Sequence, residues 1–313
     1  MNSPIDLNVS GLIPINKPRG ISSKDISRAL TRRFGKLKLG HVGTLDPDAD
    51  GVLPVLIGRA TKLQDYLLDM AKAYSFNLRL GTATDTLDAS GQITSYQPWD
   101  HVTPEHIPQA VKFFLGEITQ IPPLFSAVKY QGKELYKYAR SGHSDQDVPL
   151  EDLQTRVLIT SITIDYCRLP DIGLTVHCSK GTYVRTLGFD IAKKLRTTGH
   201  VTHLTRIQSA GFKIDGCITI EQATSAGVSL ESILIPFDQI VIGLPAWRAD
   251  DMVLVRRLID GQRVIIKTPV SLDVPTSGDF DILIKSPDDK NIGIVTATLL
   301  EGENLKLHMK RGL

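Results

Sequence analysis

Three aspartates fall at alternate positions in "HVGTLDPDADGVLPV", residues 41–55: Asp46, Asp48 and Asp50, closed by Gly51. That spacing opens an EF-hand calcium loop, whose twelfth position must be a bidentate glutamate. Counting from Asp46, the twelfth residue is Ile57, and "GVLPVLIG" reads as a strand rather than an exiting helix. Calcium is therefore not expected. Zinc needs His or Cys at short spacing, and His41 stands alone locally. Aspartic-protease chemistry needs paired carboxylates in Asp-Thr/Ser-Gly turns, which do not occur. Two readings remain. One is a single carboxylate on a glycine-flanked loop, acting as nucleophile or base if a cation keeps it ionised. The other is a turn of three solvated aspartates. On local pattern alone the turn of solvated aspartates is favoured.

Elements that could position this loop are legible on both sides. "GLIPINKPRG" reads as a short strand and turn. "SSKDISRALTRRFG" reads as a helix capped by Ser22 or Ser23, with Ile26, Ala29, Leu30 and Phe34 on one face and Gly35 at its end. After the loop come a strand, a helix over "RATKLQDYLLDM", and the alternating strand "KAYSFNLRLG". That alternation puts Tyr74, Phe76, Leu78 and Leu80 on its buried face. A further helix is read over "TPEHIPQAVKFFLG". "GLTVHCSKGTYVRTLGFDIAKKLR" is strand, turn, helix, with Tyr183 and Arg185 in the first turn. Residues 124–152 interleave Lys129, Lys133, Lys137 and Arg140 with Tyr130, Tyr136 and Tyr138. Such a stretch can grip RNA phosphates and stack on bases, or be a surface helix with snorkelling lysines. "GLPAWRAD" near residues 243–250 reads as a linker, and the tail as a small β domain of short apolar runs.

The 313 residues suit one large domain and one small one. No membrane span or signal peptide is read, and three cysteines without a CxxC pair fit a reducing cytoplasm. Net charge is only +2, yet eight basic residues against two acidic ones precede Asp46. That asymmetry marks either a phosphate-facing surface or a solvated helix face.

Six ordered blocks, "GLIPINKPRGISS", "GHVGTLDPDADGVLPVLIGRATK", "YLLDMAKAYSFNLRLGTATDTLDASG", "IPPLFSAVKYQGKELYKYAR", "HCSKGTYVRTL" and "HLTRIQSAGF", make the chain resemble the TruB-type tRNA pseudouridine synthases. The resemblance runs from about residue 10 to residue 240 and more weakly beyond. It implies an α+β fold: a mixed α/β catalytic domain over 1–245 around a long, mainly antiparallel sheet. It further implies an RNA-gripping insertion at 124–152, with Lys129 among its contacts, and a small PUA-like β domain over 246–313. The implied activity is conversion of the T-loop uridine of tRNA, position 55, to pseudouridine without a cofactor. Asp46 falls on the family nucleophile, Arg185 on its ionic partner, and Tyr74 on a ring that stacks on the flipped base and is a candidate for moving the C5 proton. His41, Tyr183, Leu204 and Lys17 fall on substrate-side positions. No metal, membrane or protein partner is implied, and a cytoplasmic monomer is expected.

One departure stands out. Where the family loop continues Asp-Pro-Leu-Ala-Thr/Ser-Gly, this chain has Asp48 and Asp50 in place of the apolar and hydroxyl residues. Extra negative charge sharing the site would raise the Asp46 pKa and repel phosphate. Three rivals follow from the same residues: the catalytic subunit of a guide-RNA complex, a tRNA-binding chaperone without catalysis, and the calcium module already weighed against.

Overall fold

The computed structural model describes residues 9–143, 147–270, 272, 275, 277–300 and 304–313. Residues 144–146 of the basic, tyrosine-rich stretch lie outside them. The chain begins with β1 (Gly11–Lys17), α1 (Ser23–Phe34), β2 (Leu39–His41) and β3 (Asp50–Ile57). α2 (Gln64–Asp69) and β4 (Lys72–Leu80) follow, then the hairpin β5 (Thr82–Thr84) and β6 (Ile93–Tyr96). Next come α3 (His106–Lys112), β7 (Gly116–Gln120), and the hairpin β8 (Lys129–Tyr130) and β9 (Lys133–Glu134), running into α4 (Leu135–Arg140). β10 (Thr155–Arg168), β11 (Asp171–Cys178), α5 (Val184–Lys194) and β12 (Gly199–Ser209) complete the main body.

The large sheet runs β1, β3, β12, β4, β11, β10, β7 in space, with the short strand Ile218–Thr219 beyond β1. Its pairings are antiparallel except for β12 with β3 and β1 with Ile218–Thr219. β4 is central, between β12 and β11, so the face carrying Tyr74, Phe76, Leu78 and Leu80 is buried as its alternation requires. α1 follows its capping logic: the Ser22 side chain accepts from Asp25 N–H, Asp25 answers to Ser22 N–H, and Ile26, Leu30 and Phe34 enter the core. α5 packs against β12 and β4. β3 and β12 meet in parallel over only two residues, where Arg206 pairs with Gly51. Gly51 is required there: its φ is +102°, and a Cβ would lie 2.3 Å from the Arg206 carbonyl oxygen.

A second sheet of five strands is built from the tail, in the order Ala246–Arg248, Asp279–Lys285, Asn291–Leu300, Asn304–Gly312, Val264–Lys267. Two sequence expectations change here. Part of the presumed linker, Ala246–Arg248, is an edge strand paired parallel to Leu283–Lys285. A helix at Met252–Ile259, capped by Asp251, packs Val255 and Leu258 into this core. The tail packs against the main body. Leu283 and Ile294 share one apolar cluster with Leu12, Val42, Leu56, Leu63 and Phe237 of the main body. Polar ties reinforce the seam, including Asn291 N–H to Asp238 at 2.7 Å and Lys62 to the Gly312 carbonyl at 2.8 Å.

Two helical readings also shorten. Residues 58–63 form a 3₁₀ turn before α2, and the helix read over 103–116 spans only α3. Among the described residues no helix is long and apolar enough to cross a membrane.

Candidate active site

The loop between β2 and β3 is tied down from four sides, which turns a polar turn into a fixed platform. The Ser23 hydroxyl of α1 donates to the Leu45 carbonyl at 3.1 Å and accepts from Leu45 N–H at 3.0 Å. Gly20 N–H donates to the Pro47 carbonyl at 2.8 Å, and Ala49 N–H closes back on the Asp46 carbonyl at 3.1 Å. Lys17 Nζ donates to the carbonyls of Ile21 (2.7 Å), Pro18 (2.9 Å) and Pro47 (3.2 Å). From β12, Arg206 Nη2 donates to Gly43 at 2.8 Å.

Asp46 projects from this platform into a narrow cleft lined by Asp88, Arg185, His203 and Leu204, with Arg19 and Asp48 at the same opening. Arg185 Nε stands 3.0 Å from Asp46 Oδ2; the Arg185 side chain is 6% exposed and that of Asp46 41%. The remaining guanidinium donors fix the arginine itself. Nη1 donates to Thr86 O at 2.6 Å and lies 3.7 Å from Asp88, while Nη2 donates to Phe125 O at 2.9 Å. One planar fork thus joins the acidic loop, the 86–88 turn and the start of the basic stretch. Crowding by protein pushes the Asp46 carboxyl above its ordinary value. Arg185 and Lys17 oppose that rise, and Asp88 adds to it. Because two-fifths of the side chain is open to solvent, the rise is smaller than full burial would give.

The two extra acids have partners other than Arg185. Asp48 meets Arg19 at 3.4 Å, and Asp50 meets His203 at 3.6 Å. The three carboxylates therefore do not converge, and no group of three metal-ligating side chains forms among the described residues.

The other expected positions divide. Tyr74 is 8% exposed, on β4 directly across from Arg206 on β12. Its burial raises the phenol pKa, and the neighbouring guanidinium opposes the rise. His41 hydrogen-bonds Thr44 at 3.1 Å, and burial together with Arg206 and Lys24 lowers its pKa, favouring the neutral ring. Tyr183 precedes α5, its backbone N–H and carbonyl both bonded to the Gln120 amide. Leu204 lines the cleft beside Asp46. Lys129 is exposed on β8, outside the cleft lining, in a unit with its own small core of Leu124, Leu135, Val148 and Leu150.

Lys17 is a correction. It was expected on the substrate side, but it is 0% exposed, and its ammonium is spent on three carbonyls. Desolvation lowers its pKa to about 8. Asp88 and Arg206 were not singled out from sequence. Arg206 had a readable signal: a guanidinium at a position of "HLTRIQS" that faces the core.

A family model described as TruB family pseudouridylate synthase (N terminal domain) matches residues 31–184. The chain is 39% identical over 246 residues to the tRNA pseudouridine synthase B of Bacillus pumilus (strain SAFR-032), covering 78% of this chain and 80% of that one. It is 40% identical over 275 residues to the protein of the same name from Ralstonia pickettii (strain 12J), covering 86% and 83%. Among solved structures, a chain of an H/ACA RNP bound to a substrate RNA containing 2′-deoxyuridine superposes with a TM-score of 0.72 at 21% identity, covering 96% of this chain and 84% of that one. A chain of a Cbf5-Nop10-Gar1 complex gives a TM-score of 0.72 at 23% identity, with the same coverage. These two likenesses are ones of fold.

Proposed function

The chain belongs to the TruB family of pseudouridylate synthases, isomerases that convert uridine to pseudouridine in tRNA, and we propose that its target is the T-loop uridine at position 55, with Asp46 as the reacting carboxylate. The observation that carries this reading is the 3.0 Å pair between Asp46 and the buried Arg185, set in a cleft on a loop held from four sides. Pseudouridine formation breaks the N1–C1′ bond, turns the uracil, and joins C5 to C1′. The atoms balance without any added group, since C5 loses one proton and N1 gains one. A stacked loop base hides these atoms, so the nucleotide swings out into the cleft at a cost of a few kcal/mol.

In this reading Arg185 keeps Asp46 ionised against the crowding around it, and its carbonyl bonds keep the guanidinium from following the substrate. Asp46 then acts as nucleophile or base at the target nucleotide. Leu204 and Tyr74 supply apolar and aromatic surface for the flipped base, and His41 and Tyr183 flank it. The basic unit around Lys129, Lys133 and Lys137 grips the T-arm, and the tail sheet over 246–313 serves as a PUA-like second RNA contact. The protein acts without a protein partner. Asp48 is paired with Arg19, so its charge is damped where phosphate would approach, and Asp50 lies against the His203 ring.

The experiment is a mapping one. An unmodified full-length tRNA transcript is incubated with the protein, then read by carbodiimide labelling and primer extension. A single new stop at position 55 supports the T-loop assignment, and stops elsewhere without one at 55 overturn it. A chaperone without catalysis would give no stop at all.

A further inference from the structure

Arg206 is 1% exposed, a fully buried permanent cation in the middle of the large sheet. Such a charge normally has a carboxylate partner, because an uncompensated buried ion costs several kcal/mol. Among the described residues it forms no ion pair. Its donors go instead to carbonyls: Nε to Val52 at 2.7 Å, and Nη2 to Gly43 at 2.8 Å and Val42 at 3.4 Å. Those bonds use one edge of the fork. Nη1 lies on the other edge, tight against Gly43, where an added Cβ would sit 3.1 Å away. Arg206 and Tyr74 are directly opposite in the antiparallel β12–β4 register, so their side chains leave the sheet side by side on one face, and the guanidinium charge favours the ionised phenol. A neutral side chain of the same shape would satisfy packing at less cost, so the retained charge calls for a use.

We propose that Arg206 is a positioning residue for proton transfer: its guanidinium, clamped on the Val42, Gly43 and Val52 carbonyls, holds the Tyr74 oxygen as a hydrogen-bond acceptor and stabilises that oxygen when it gives up its proton. The proposal rests on the pseudouridine synthase reading and deepens it. The phenol O–H bond breaks, and its proton reaches N1 of the released uracil through solvent. After C5 has joined C1′, the C5–H bond breaks and the proton returns to the Tyr74 oxygen, so the phenol ends as it began. The other groups acting on Tyr74 are Cys178 across the sheet and Asp46, both of which disfavour its charge. Arg206 is the cation that opposes them. The same guanidinium helps keep His41 neutral and fixes the strand end from which the Asp46 loop departs.

The test uses the full chain and a T-arm hairpin carrying either uridine or 5-deuterouridine at the target. Conversion by the wild type secures the underlying reading before any variant is judged. Arg206→Lys keeps a buried cation but loses the fork. We expect turnover about 10²-fold lower, KM within threefold, and a C5 isotope effect larger than that of the wild type. Tyr74→Phe should show the same pattern, and the double variant should lose no more than Tyr74→Phe alone. A loss with no change in the isotope effect, or losses that multiply in the double variant, would mean that Arg206 only holds the fold. A third probe leaves the arginine and the packing intact: 3-fluorotyrosine at position 74, whose phenol is more acidic. An altered isotope effect supports the proposal, and an unaltered one overturns it even if Arg206→Lys does not fold.

Discussion

Replacing Arg185 by alanine separates holding from binding. The arginine is 6% exposed and serves four partners: Asp46, the carbonyls of Thr86 and Phe125, and Asp88 at 3.7 Å. Removing it leaves two carbonyl acceptors and a carboxylate without a donor. An unsatisfied buried polar group costs about 1–3 kcal/mol, and breaking a buried ion pair about 3–5. Water reaches Asp46 through its 41% open side, so the stability loss should fall to about 3 kcal/mol in total. The chemical loss is larger. Crowding and Asp88 both push Asp46 toward its protonated, inert form, and Arg185 is the main group opposing them. Loss of a preorganised charge of this kind costs about 10³-fold in turnover. Affinity for a T-arm hairpin should stay within about threefold, since the side chain has little free surface to offer RNA. Arg185→Lys restores the charge without the fork and should recover only part of the loss. Single-turnover rates and filter binding on the same hairpin give both quantities. If binding falls as far as turnover, or if Arg185→Lys is fully active, the argument that the fork positions Asp46 is wrong.

Other expectations follow from the same geometry. Lys17→Met strands the carbonyls of Pro18, Ile21 and Pro47, so chemical denaturation should show a loss of about 2–4 kcal/mol. Turnover should suffer more than RNA affinity, and the reverse order would restore Lys17 to the substrate side. Asp46 has a folded pKa above its ordinary 3.8. Its contribution to stability is therefore present below 3.8 and lost as pH rises through the folded value. Asp46→Asn should then be the more stable chain at neutral pH, with melting curves converging as pH falls through that raised pKa. Turnover by the wild type should fall with acid in the same window, above the usual carboxylate range. Asp48→Asn removes only a half-exposed pair with Arg19, so stability should move by less than about 0.5 kcal/mol. Its turnover should change by less than threefold, and a large loss would give Asp48 a role in the site.

What could be read from the sequence was what local periodicity encodes. β4 alternates with period two and lies at the sheet centre, so its apolar face predicted the core directly. α1 carries its capping box in consecutive letters. The Asp46–Arg185 pair spans 139 positions; it came through the family resemblance, since no spacing rule joins a loop carboxylate to a distant helix start. The partners of Asp48 and Asp50 were illegible for the same reason: Arg19 and His203 reach them only after β1, β3 and β12 are assembled. Lys17 was placed on the substrate side by the family resemblance, and the three carbonyls that take its ammonium converge only in the folded loop. The tail helix hid within a stretch read as short β runs, although "DMVLVRRLID" has Asp251 as a cap and apolar residues at helical spacing. How the tail packs on the main body was not legible either, because Leu283 and Ile294 meet Val42 and Leu56 only in the folded chain.

The central claim is that Asp46 carries the chemistry, and one comparison tests it most directly. An unmodified T-arm stem-loop is incubated with the wild type and with Asp46→Asn side by side, and pseudouridine is read by mass-shift labelling of the nucleosides. Conversion by the wild type and none by Asp46→Asn, at equal RNA binding, is the predicted result. Comparable conversion by both chains would contradict it, and the reacting carboxylate would have to be sought elsewhere in the cleft.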